Sequence, residues 1–192
     1  MKLLVIDTSV ASTLVIAAVD DRCFAVDSLP EPGSNTSRNI IPYVDRALQA
    51  FSLSVADLDC VAVAVGPGSF TGLRIGVSVA NAFLTAGVKV LPVDLLQMLC
   101  FGEPQGCLAA LPSRPGFCYT TRGELSLEAV AQEPCSVGVE HTGCARVLQR
   151  EEYRAKLLSF ARAHAAEAAS VPAEPLYLKK SQAERLRENK ND

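Results

Sequence analysis

The stretch that most limits what this chain can become is CVAVAVGPGSFTGLRIGVSVANAF, Cys60 to Phe83: an apolar strand, a glycine-rich turn, then a helix apolar on nearly every side. An uninterrupted apolar strand suits a position buried on both faces, with helices above and below the sheet. The flanking segments agree. KLLVID (2–7), TLVIAAV (13–19) and RCFAVDS (22–28) are β-rich runs separated by turns, which predicts an antiparallel meander. After the polar loop LPEPGSNTSR, the segment NIIPYVDRALQAF sets Ile40, Ile41, Val44, Ala47, Leu48 and Phe51 at helical spacing, predicting a helix over 39–51. Thr36, Ser37 or Asn39 can cap it. Pro42 fits a start near Asn39; an earlier start implies a kink. Strand 60–65, helix 72–86 and strand 88–93 follow.

Beyond residue 93 the signals shorten. DLLQMLC (94–100) reads as a short helix, GCLAAL (106–111), GFCYTT (116–121) and ELSLEAV (124–130) as a second meander, CSVGV (135–139) as a further strand. An alanine-rich helix spans 150–169. The second half echoes the first in abbreviated form. The expected fold is therefore α/β: two lobes of mixed sheet with flanking helices, residues 1–98 as the first lobe and 99–192 as a shortened second lobe with a tail. Leu176 to Leu178 are expected to pack down, and the last ten residues to fray.

A chain of 192 residues, 49% hydrophobic, can bury such a core. Its formal net charge is −3, and its densest basic cluster is Lys179, Lys180, Arg185 and Arg187. That is not the footprint phosphate backbones reward, so any nucleic acid is expected to be held mostly by another subunit. The N-terminus is too short in apolar residues for a secretory signal, and Ile75 to Val88, broken by Ser78, Asn81 and Thr85, falls short of a membrane span. A cytoplasmic protein is expected. Seven cysteines (23, 60, 100, 107, 118, 135, 144) without a C-x-x-C pair predict reduced thiols serving as small apolar side chains, zinc or a disulfide framework being the minor alternative. With only His141 and His164, no histidine-rich metal site is expected.

The turn Gly66 to Gly72, GPGSFTG, is not a P-loop, because Leu73-Arg74 stand where Lys-Ser/Thr should follow. Nor is it the dinucleotide fingerprint, since the third glycine, Gly72, comes one position late. The amides opening helix 72–86 could still take an anion, with Gly66, Gly68, Ser69, Thr71 and Arg74 around it; the alternative is a tight turn where backbones approach closely. Asp7-Thr8-Ser9 resembles the first phosphate loop of actin-like ATPases, with Thr8 where those have glycine. Asp7 is then either a magnesium-side carboxylate or a turn residue. Ser69 lacks a histidine in its half of the chain, and Cys144 with His141 is a dyad by spacing alone. Gly72, Gly76 and Ala80 recur every fourth residue, a small stripe that lets another helix come close. A helix apolar all round must be covered all round, by helix 39–51 or by a partner protein.

IDTS on the first strand, NIIPYVDRAL on the first helix, DLDCVAVAVGPGSFTGLRIGVSVANAF and the closing PLYLKK resemble the bacterial TsaB (YeaZ) family, a subunit of the machinery that makes threonylcarbamoyladenosine in tRNA. The resemblance is strong over 1–93, thin over 94–170 and returns at Pro175 to Lys180. It implies an actin-like ATPase fold with two ribonuclease-H-like lobes. It implies a non-catalytic dimerisation and activation subunit, similar to the catalytic TsaD but without its metal-binding H-x-x-x-H helix; SRNIIPYVDRAL has no histidine. Carried over, Ile41, Val44, Leu48, Leu73, Gly76, Val77, Ala80 and Leu84 are expected to contact a TsaD-type paralogue. The Asp7, Thr8 and 66–74 constellation becomes a vestigial nucleotide loop, with no catalytic residue, metal or cofactor. A TsaE-type ATPase is a further implied partner, with tRNA met only through the complex and a homodimer in isolation. The sequence departs from the family pattern at NTSRN before the first helix and at LPSRPGFCY in the second lobe. Two other classes stay open: a nucleotide-binding or ATP-hydrolysing enzyme using Asp7, the turn and Arg74, and the peptidase role once attached to the superfamily.

Overall fold

The structure, a computed structural model, describes residues 1–9, 12–27 and 36–177, with the side chains of 36–39 left aside. Strands β1 (Lys2–Asp7), β2 (Leu14–Val19) and β3 (Arg22–Asp27) form the expected meander, and β4 (Cys60–Gly66) and β5 (Lys89–Asp94) extend it in parallel beside β1, in the order β3-β2-β1-β4-β5. Alternation of side chains along β1 sends Leu3 and Val5 to one buried layer and Leu4 and Ile6 to another. This is why the run carries no polar residue between Lys2 and Asp7: both faces of the sheet are covered.

Helix α1 (Thr36–Gln49) and helix α2 (Phe70–Ala82) cover the outer face. Helix α1 begins earlier than its periodicity suggests, so Pro42 stands in its interior and denies the carbonyl four residues back its helical donor. The proline is solvent-exposed, which lets water serve that carbonyl. Thr36 and Ser37 therefore lie inside the helix rather than capping it. Helix α2 begins two residues before Gly72, capped by the Ser69 hydroxyl on the Gly72 amide at 3.3 Å, and its last turn tightens to a 3-10 helix over Phe83–Ala86, ending at Gly87 with φ +79°.

The second half builds the same sheet with shorter strands. Strands β6 (Leu108–Pro112), β7 (Phe117–Thr120) and β8 (Gly123–Ser126) form a meander, and β9 (Ser136–Gly138) and β10 (Arg146–Val147) extend it in parallel, giving β10-β9-β6-β7-β8. One expectation changes here, and one strand is new. The strand predicted over 124–130 stops at Ser126, whose hydroxyl accepts the Ala129 amide at 3.2 Å and starts the short helix α4 (Leu127–Ala131). The two-residue β10 carries too little pattern to be read from sequence. Helices α3 (Leu95–Cys100) and α5 (Arg150–Ala163) lie between the two sheets, with Leu95, Met98, Leu99, Leu157 and Ala161 buried beside Leu3, Val5, Ala62, Ala109 and Val137 in one shared core. Helix α5 ends six residues before the expected 169, and a 3-10 turn over Ala165–Glu167 leads the chain back to the first sheet. There Val90 and Ala169 exchange both backbone hydrogen bonds, at 2.9 and 3.0 Å.

The topology, β-β-β-α-β-α-β in the first lobe and the same strand order in the second, is that of the actin-like, ribonuclease-H-like fold. Among the described residues no helix is long and apolar enough to cross a membrane.

Candidate functional site

The glycine turn lies at the end of β4 beside the end of β1, and the two ends are locked together. The Ser69 amide donates to the Ser9 carbonyl at 2.6 Å, and the Thr8 hydroxyl donates to the Gly72 carbonyl at 2.7 Å. A Cβ on Gly68 would sit 2.5 Å from the Ser9 carbonyl oxygen; one on Gly72 would collide with the Thr8 carbonyl, and one on Gly76 with the Thr8 hydroxyl. The glycines are thus explained by backbone approach within the chain. Thr8, buried at 1% exposure, fills the space that a glycine at its position would leave.

This corrects the small-stripe expectation. Gly72 and Gly76 face inward, onto Thr8, and Ala80 is buried in the layer that α1 shares with the sheet. Of the eight residues expected at a partner interface, Val44, Leu48, Leu73, Gly76, Val77 and Ala80 are buried within this lobe. Leu84 is half-buried, and Ile41, at 51% exposure, is turned to solvent. The outward stripe of α2 consists instead of Thr71, Arg74, Ser78 and Ala82, flanked by half-buried Ile75 and Val79. Arg74 is directed toward the tail: its Nε donates to the Tyr177 hydroxyl at 2.9 Å, and its guanidinium lies 4.1 Å from the centre of the Phe70 ring, which stacks on Tyr177 at 4.7 Å. The same tail fixes itself to α2 through Asn81, whose side chain both donates to and accepts from the Ala173 backbone at 2.9 and 2.8 Å. The Leu176 amide donates to the Val65 carbonyl at 2.7 Å, beside Gly66. Leu176 packs down as expected, while Leu178 and the last ten residues lie outside the described residues.

Asp7 is 1% exposed. Its carboxylate accepts the Ser9 amide at 2.8 Å and the Tyr153 hydroxyl, from α5, at 2.7 Å. Burial, then the neighbouring Asp7 charge, pushes the Tyr153 phenol well above its ordinary value. At the end of β3, Asp27 receives the guanidinium groups of both Arg150 and Arg154. These groups line a cavity of about 280 Å³ between the lobes, together with Leu14, Leu148 and Glu140. Arg150, Tyr153 and Arg154 escaped sequence reading, although their i, i+3, i+4 spacing puts all three on one side of a helix. Chemically the arrangement is a set of charge-assisted bonds joining the first sheet to α5.

The remaining candidates do not assemble. Cys144 is buried against Gly138 and Thr142, while His141 is exposed with φ +66°. His164 is half-buried and stacks on Phe160 at 4.0 Å. Among the described residues no group of three His, Cys, Asp or Glu is placed to hold a metal ion.

A family model described as TsaD, tRNA N6-adenosine threonylcarbamoyltransferase, matches residues 30–123. The chain is 34% identical over 125 residues to the tRNA threonylcarbamoyladenosine biosynthesis protein TsaB of Escherichia coli, covering 62% of this chain and 53% of that protein. It is 50% identical over 45 residues to the tRNA N6-adenosine threonylcarbamoyltransferase of Persephonella marina, covering 23% of this chain and 13% of that one. The chain thus matches about half the length, or less, of these curated relatives. Among solved structures, YeaZ from Pseudomonas aeruginosa superposes with a TM-score of 0.67 over 92% of this chain and 99% of its own, at 23% identity, which speaks to fold. Over part of its length the chain is thus similar in sequence to TsaB proteins, and over nearly all of it similar in fold to YeaZ.

Proposed function

We propose that this chain is a non-catalytic subunit of a tRNA-modifying complex that makes threonylcarbamoyladenosine, binding and stabilising a TsaD-type paralogue that carries the chemistry. The observation that carries the reading is the closed turn. The Ser69 amide is taken by the Ser9 carbonyl and the Gly72 amide by the Ser69 hydroxyl, the space beside Gly68 and Gly72 is filled by Ser9 and Thr8, and Asp7 is held by Tyr153 and the Ser9 amide. A loop closed on its own chain supports a structural role: it fixes the first turn of α2, and with it the outer face formed by α1 and α2. The relatives named for threonylcarbamoyladenosine biosynthesis supply the pathway.

On this reading residues 1–98 form the lobe that meets the partner and 99–192 a second lobe and tail. The protein works in the cytoplasm, reaches tRNA only through the complex, self-associates when alone, and meets a TsaE-type ATPase in the full assembly. Light scattering after size-exclusion chromatography, on the chain alone and mixed with the TsaD-type paralogue of the same genome, tests it. A defined hetero-complex at the expense of any self-associated form is expected. Failure to form one, with or without nucleotide and tRNA, overturns the assignment. Calorimetric titration of the isolated chain with ATP tests the competing enzyme class, and sub-millimolar binding would favour it.

A further inference from the structure

We propose that Cys107 and Cys135 are an oxidisable thiol pair, which a peroxide converts to a disulfide joining the entries of β6 and β9. The two residues stand immediately before these parallel strands, whose register pairs Leu108 with Ser136. The Leu108 amide donates to the Cys135 carbonyl at 2.9 Å, so the residues preceding the ladder are neighbours across it. The Cys107 side chain belongs to the shared core between the sheets, and half-buried Cys135 packs against the same core. Cα separations of neighbouring strands, about 5 Å, fall within the range a disulfide spans.

The pair is asymmetric in a way that sets the order of events. Cys135 is half-buried and within reach of a small oxidant, whereas Cys107 is 7% exposed. Burial, then the adjacent Cys135 thiol, pushes Cys107 up to about 12, which keeps it protonated until a partner sulfur is activated. The Cys135 thiolate attacks the peroxide O–O bond and becomes a sulfenic acid, releasing hydroxide. The Cys107 sulfur then displaces the sulfenic hydroxyl while its own proton leaves, and water departs. In sum, two thiols and one hydrogen peroxide give one disulfide and two waters. The bond would close the segment holding β7, β8 and α4 into a loop, constraining the unfolded chain and raising the melting temperature.

The test uses the full chain with Cys23, an exposed thiol on β3, replaced by serine to suppress crosslinking between molecules. After hydrogen peroxide treatment and alkylation of remaining thiols, intact mass and non-reduced peptide mapping are read. Loss of two hydrogens per chain with a Cys107–Cys135 linked peptide is expected, accompanied by a higher melting temperature that reductant reverses. Cys107→Ala should leave a Cys135 sulfenic acid that dimedone traps. The sulfur of Cys100 donates to the Cys107 carbonyl at 3.4 Å, so a link through Cys100 is the nearest competitor. Such a link, or a chain that keeps both thiols free under peroxide, would overturn the pairing. The readout is mass, so it fails or succeeds independently of any partner or tRNA activity.

Discussion

Asp7 shows how one residue can keep its place in a fold while its surroundings exclude the chemistry its position suggests. A buried carboxylate must be compensated, and here an amide at 2.8 Å and a phenol at 2.7 Å do so. Tyr153→Phe removes the second donor and is expected to cost about 1–3 kcal/mol, measured by urea unfolding at neutral pH. The sign of its pH dependence follows from the direction of the phenol's shift. Its folded value lies above the ordinary 10, so its contribution is complete below pH 10 and is lost as pH rises toward the folded value. The stability gap between wild type and Tyr153→Phe should therefore narrow above pH 10, and a gap that widens there would contradict the assignment. Gly72 offers a second check at this scale. A methyl group there meets the Thr8 carbonyl, which is backbone and cannot swing aside, so Gly72→Ala should destabilise by about 1–3 kcal/mol in the same measurement.

Among the elements, α2 depends on contacts distant in sequence. Its N-terminus is set by Thr8 and Ser9, and its outer edge by the tail through Asn81 and Tyr177. Asn81→Ala deletes both hydrogen bonds to Ala173 and should release the strap around Pro172 at a cost of about 1–3 kcal/mol, read as faster limited proteolysis there with α2 still protected. This dependence marks the boundary of what sequence could reveal. The strand order of the first lobe, the helix behind the glycine turn and the doubled architecture were legible because long apolar runs and 3.6-residue spacing are strong signals. The direction of the Gly72-Gly76-Ala80 stripe was not. A stripe of small residues says that something comes close, and only the structure shows that it is Thr8 rather than a foreign helix. The clasp of Asp7 by Tyr153 and of Asp27 by Arg150 and Arg154 was hidden for the same reason, since its partners lie over 120 residues apart. The strand expected over 124–130 failed on a local competition: an N-cap serine turned an alternating pattern into a helix start.

At the scale of the molecule, the two sheets share a strand order, yet they differ in what lies on their outer faces. Among the described residues the first carries two long helices, the second the five residues of α4. The inner layer of α3 and α5 is already enclosed by both sheets, so a protein partner has the α1 and α2 surface as the largest helical face to engage. On the proposed function, engagement of that face runs through Ile41 and the outward residues Thr71, Ser78 and Ala82. Ser78→Arg and Ile41→Asp alter exposed positions and should change folding stability by no more than about 0.5 kcal/mol. On the proposed function, each should weaken the complex with the TsaD-type paralogue at least about tenfold, since a bulky charge is placed where two helices approach. Gly76→Leu, by contrast, should lower the melting temperature first and lose the complex only as a consequence. If Ser78→Arg and Ile41→Asp both bind with unchanged affinity, the partner does not use this face, and the cleft between the lobes becomes the surface to test.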